Sequence, residues 1–145
     1  MRRSPATSKP VRLSNRERGR WLRQRHRLLN ALGKLDLPPD RVQAEMLERH
    51  FLRPVLKLSR RRAGREAYPT ALQWHAKAAR QCLDRLAQDD AATVAMEFEN
   101  LKANLHACIT MIDATLEQSG PTAMDEFVRK ILGATPQLAP VSLPR

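Results

Sequence analysis

The sequence predicts an all-α fold, a bundle of about five helices over residues 14–133 with a disordered N-terminal arm and a disordered C-terminal tail. Three observations carry that expectation. Apolar residues recur at helical spacing through the middle of the chain. Apolar–polar alternation is absent, and β-branched residues are few. Proline and glycine punctuate segment ends, and neither occurs between Ala71 and Ser119.

Residues 1–13 hold Ser, Pro, Thr, Lys and Arg with little apolar content, and read as a disordered basic arm. Ser14 and Glu17 have the spacing of a capping box. A helix is expected from about 15 to 34, stopped by Gly33 and by Pro38-Pro39. The next helix is expected to begin between Asp36 and Asp40. Its prolines would sit in the first turn, where a missing N–H matters least. Val42, Met46, Leu47 and Phe51 are its apolar positions. Pro54 predicts a kink or short break near Arg53, with helix resuming to about Arg61. Ala63-Gly64-Arg65 reads as a turn.

A third helix fits Pro69 to Ala87, with Leu72, Ala76, Ala79, Leu83 and Leu86 at helical spacing. Asp89-Asp90 offers an N-cap for a fourth, expected over about 91–119. Val94, Phe98, Leu101, Leu105, Cys108, Ile112 and Leu116 give it a nearly sustained heptad seam. A short last helix is expected over 123–132, with Met124, Phe127, Val128, Ile131 and Leu132 inward. Residues 134–145, with three prolines, read as a disordered Pro-rich tail.

Charge narrows the function. The 145 residues carry 26 Lys and Arg against 15 Asp and Glu, a formal charge of +11. Residues 1–65 alone have 19 basic and 5 acidic side chains, whereas residues 66–145 have 7 basic and 10 acidic. A basic half beside a mildly acidic one implies a polyanionic partner and a supporting or assembly region.

The first helix carries the sharpest signal. At 100° per residue, Arg16, Arg20, Arg23, Arg27 and Lys34 share a stripe about 60° wide. Trp21, Leu22, Leu28, Leu29, Leu32 and Leu35 fall on the other side. Arg18 and Arg25 lie among those apolar positions and are expected to snorkel at the packing edge. Like charges one turn apart cost an isolated helix a few tenths of a kcal/mol per pair, so the stripe points to an anionic partner. Guanidiniums in a row suit a phosphate backbone, each offering a planar fork of donors. A second cluster, Lys57, Arg60, Arg61, Arg62 and Arg65, surrounds a helix end. Cations there offset the helix dipole, but three consecutive arginines exceed that need and read as a phosphate clamp.

The expected function is therefore non-enzymatic binding of nucleic acid, in a regulatory or DNA-organising role. The stripe holds few Asn or Gln, which fits phosphate contact rather than base reading. Duplex DNA is favoured over RNA because stacking aromatics are scarce. No helix-turn-helix pattern fits the residues around Gly64. Two other readings compete: an adaptor or inhibitor that grips an acidic protein, and an amphipathic first helix lying on an anionic membrane. The expected location is cytoplasmic, on the nucleoid in a bacterium.

No cofactor or metal is expected. His26, His50, His75 and His106 are scattered, and His75 with Cys82 reads as packing rather than a ligand pair. Cys108 reads as a small buried hydrophobe, and two distant cysteines fit a reducing compartment. No constellation for acid–base or nucleophilic chemistry stands out. No stretch reaches transmembrane length, and MRRSPATSKPVRL lacks the apolar run of a secretory signal. Finally, Met96, Ala103, Ala107 and Met111 form a second apolar set beside the fourth helix's seam, and predict a homodimer through the less basic half.

Overall fold

The computed structural model describes residues 13–88 and 93–118. Its elements are α1 (Asn15–Gly33), α2 (Arg41–Leu47), a π-helical turn (Glu48–Leu52), α3 (Arg53–Arg60), α4 (Ala67–Ala87) and α5 (Val94–Gln118). Because α2, the π turn and α3 follow without a gap, four helical rods stand among the described residues, and no strand does. The expected Asp89-Asp90 cap, the helix over 123–132, the tail and all of the arm except Leu13 lie outside the described residues.

The local chemistry of α1 is as expected. Ser14 Oγ accepts from the Glu17 N–H at 3.1 Å, and Glu17 Oε1 accepts from the Ser14 N–H at 3.3 Å. Leu13 departs from its expected place in a disordered arm: it is 1% exposed and belongs to the core. An apolar side chain just before the N-cap fixes how the chain enters the helix.

The second rod differs more. Pro38 and Pro39 precede the helix rather than occupying its first turn, because Asp40 is the N-cap and forms its own capping box with Gln43. Val42 and Met46 do not face the core: they are 66% and 50% exposed, and Ala44 takes the buried position. Pro54 does not break the rod. The turn before it widens, so that the Arg53 N–H reaches back five residues to the Glu48 carbonyl. Leu52, Val55 and Leu56 are consequently buried on one side of a continuous rod.

Gly64 adopts φ +88°, a left-handed conformation that favours glycine, and its N–H donates to Thr70 Oγ1 at 2.6 Å. That turn starts α4 two residues earlier than expected and leaves Pro69 in the first turn, where helix N–H groups lack intrahelical partners anyway.

One shared core joins all four rods, centred on Trp21, Leu28, Leu52, Val55, Leu72, Leu83, Leu101 and Ile112. Arg18 and Arg25 lie at its edge and tie α1 to α5. Arg25 Nε donates to Asp113 Oδ1 at 2.5 Å, and Arg18 Nη1 to the Leu116 carbonyl at 3.3 Å. Antiparallel α4 and α5 are joined by His75 with Asn104 and by Arg85 with the buried Glu97. Burial pushes the Cys108 thiol up to about 12. Burial, with Glu97 beside it, pushes Cys82 up to about 11.

Candidate nucleic-acid interface

Two basic clusters distant in sequence come together across α1 and α3. Arg20, Trp21, Arg23 and Gln24 of α1 face Pro54, Lys57, Leu58 and Arg61 across a cleft of about 410 Å³. Each wall is a helical face with i, i+3, i+4 spacing, so one turn of each rod supplies both its cations and its apolar floor. Trp21 is buried beneath the cleft.

Towards each end of the cleft an arginine ties the two rods together. At one end Arg62 Nη1 donates to Glu66 Oε2 at 2.8 Å, and Nη2 to Glu17 Oε2 at 3.2 Å. At the other end Arg27 Nη2 donates to the His50 carbonyl at 3.0 Å, and its guanidinium lies 5.5 Å from the centre of the Phe51 ring. The expectation that Arg62 clamps phosphate therefore needs correcting. It is 8% exposed and committed to two carboxylates, so its donors hold the fold. Arg27 has a second duty as well, because it braces the rod that it faces.

Arg20, Arg23, Lys57 and Arg61 are different. Among the described residues their side chains form no hydrogen bond or ion pair. Glu17, the one carboxylate that lines the cleft among the described residues, is engaged by Arg62. Four cations without counter-charges around one cavity repel one another unless an anion enters.

The remaining expected residues lie further out. Arg16 is exposed in the first turn of α1, and Arg60 at the end of α3. Arg65 turns its guanidinium onto the Arg61 carbonyl. Lys34 is the C-cap of α1 and lines a separate hollow with Leu35, Leu37, Met46 and Phe51. Of the α5 set, Met96 and Ala103 are exposed, while Ala107 and Met111 are half-buried on the same side. Sequence reasoning missed Gln24, Pro54 and Leu58 as cleft residues. The matching i, i+3, i+4 faces of α1 and α3 were the available signal, but their pairing depends on the rods running antiparallel.

Among the described residues no group of three or more His, Cys, Asp and Glu side chains is placed to hold a metal, and no helix is long and apolar enough to cross a membrane. Comparison with family models, with curated proteins and with solved structures finds no match to this chain.

Proposed function

We propose that the chain binds nucleic acid without catalysing a reaction, gripping the phosphate backbone, with duplex DNA as the favoured ligand and a regulatory or DNA-organising role. One observation supports this above the others. Arg20 and Arg23 from α1, with Lys57 of α3 and its C-cap Arg61, line one cleft without paired carboxylates. Converging guanidinium and ammonium donors suit phosphate oxygens. Arg16, Arg60 and Arg65 extend the cationic surface beyond the cleft. The contacts are to phosphate, so binding tolerates many sequences.

The homodimer belongs to the same reading. Met96 is 57% exposed, and Ala103, Ala107 and Met111 continue its side of α5. Pairing there keeps the basic clefts available, and two linked phosphate-binding surfaces raise affinity through effective concentration.

The test is binding of random-sequence duplex at low salt, followed by anisotropy. Arg20→Ala with Arg23→Ala, and separately Lys57→Ala with Arg61→Ala, should weaken binding for every sequence tried. Arg41→Ala, at an exposed helix start outside the cleft, should leave it nearly unchanged. A chain that binds no duplex under these conditions overturns the reading in favour of an acidic protein partner.

A further inference from the structure

The cleft between α1 and α3 has more room and more chemistry than a phosphate requires. Its volume of about 410 Å³ falls in the range of small-molecule sites, roughly 300–1,000 Å³. Pro54 and Leu58 form an apolar floor between the cationic walls, with Trp21 packed below. Backbone phosphates need no such floor. An unpaired base does, because its flat face is the apolar part of a nucleotide. In a duplex that face is stacked on its neighbours and unavailable.

A second observation points the same way. Gln24 belongs to the same wall, and its Oε1 is buried without a hydrogen-bond partner among the described residues. A buried acceptor left unpaired is costly. A phosphate diester has no donor to offer it, whereas base edges carry N–H donors. Arg20 and Arg23 line the same cleft beside Gln24, and among the described residues no partner holds either side chain.

The two walls are also tied to each other before any ligand arrives. Glu17 with Arg62, and Arg27 with His50, fasten the rods at either end of the cleft. A preformed slot does not spend affinity on ordering its own walls.

We infer that the cleft holds one unpaired nucleotide of a bound strand. Its phosphate lies on Arg20, Arg23, Lys57 and Arg61, its base rests on Pro54 and Leu58, and its edge donates to Gln24. This rests on the nucleic-acid reading above and narrows it: the preferred ligand is a duplex carrying an unpaired end or gap.

The experiment compares three probes on the unmodified chain at one salt concentration. They are a blunt duplex, the same duplex with a short single-stranded overhang, and that overhang with abasic residues in place of its bases. The last two carry equal phosphates. The base-bearing overhang should bind about tenfold more tightly than the abasic one, as expected if one base face is buried on apolar side chains and its edge pairs with Gln24. In a Trp74→Phe chain, which leaves Trp21 as its one indole, base-bearing overhang should also change the tryptophan emission, and abasic overhang should not. Equal affinity for the two overhangs, with unchanged emission, overturns the nucleotide pocket while leaving phosphate binding intact. No binding of any probe at low salt overturns the nucleic-acid reading itself.

Discussion

Arg27 Nη2 donates at 3.0 Å to the carbonyl oxygen of His50, whose α-helical donor would be the N–H that Pro54 lacks. The widened turn at Glu48–Leu52 and this guanidinium together let a proline sit inside a continuous rod. A stripe arginine thus supports the backbone of the helix that forms the opposite wall of the cleft.

Arg27→Ala should therefore lower stability by about 1–2 kcal/mol, through the lost charge-assisted hydrogen bond and the Phe51 contact. In a Pro54→Ala background residue 54 regains an N–H for His50, and the same change should cost less. A urea-melt double-mutant cycle should read a coupling of about 0.5–1 kcal/mol. Equal costs in both backgrounds would show that Arg27 does not serve that carbonyl.

Arg62 should behave as a residue of the fold. Arg62→Met strands Glu17 and Glu66 at a largely buried site, and should cost about 3 kcal/mol. Removing all three charges together, as Glu17→Gln, Arg62→Met and Glu66→Gln, should cost less than Arg62→Met alone, because no unpaired carboxylate remains. Denaturant midpoints decide the order, and a triple variant less stable than the single one would contradict the account.

The two thiols set an alkaline limit. Folding raises Cys82 to about 11 and Cys108 to about 12 from an ordinary value of 9.0. The folded chain then holds more thiol protons than the unfolded one above pH 9. Their contribution to stability is whole below about pH 9 and is lost as pH climbs towards those raised values, by at most about 1.4 kcal/mol per pH unit per thiol. Cys108→Ala should flatten the fall in urea midpoint above pH 9. An unchanged pH dependence would contradict the burial effect.

The dimer proposal predicts a mass near twice 16.5 kDa by light scattering at micromolar concentration. Met96→Glu with Ala103→Glu should return it to the monomer value with helicity retained, since both side chains are exposed. Wild-type mass at the monomer value under those conditions would contradict the proposal.

Much of the helical pattern was legible in the sequence because its causes are local. Ser14 and Glu17 start α1, Gly64 turns the chain, and the seam from Val94 to Leu116 keeps one side of α5 inward. What was not legible depends on partners distant in sequence. Val42 and Met46 have helical spacing, but both stay largely exposed among the described residues. Arg62 looked like one of three equivalent arginines until Glu17, 45 residues away, was seen beside it. Pro54 predicted a kink or short break, and part of the compensation comes from Arg27 on another helix. For the same reason both basic clusters could be named from sequence, whereas their meeting across one cleft could not.

The most direct measurement of the central claim is the salt dependence of duplex binding, between about 50 and 200 mM. It compares the wild-type chain with one carrying Arg20→Ala, Arg23→Ala, Lys57→Ala and Arg61→Ala. If the cleft grips phosphates, the logarithmic slope of affinity against salt should become shallower by about 3–4 in the variant, close to one per cation removed, with helicity unchanged. An identical slope in the two chains would contradict the cleft as the site of contact.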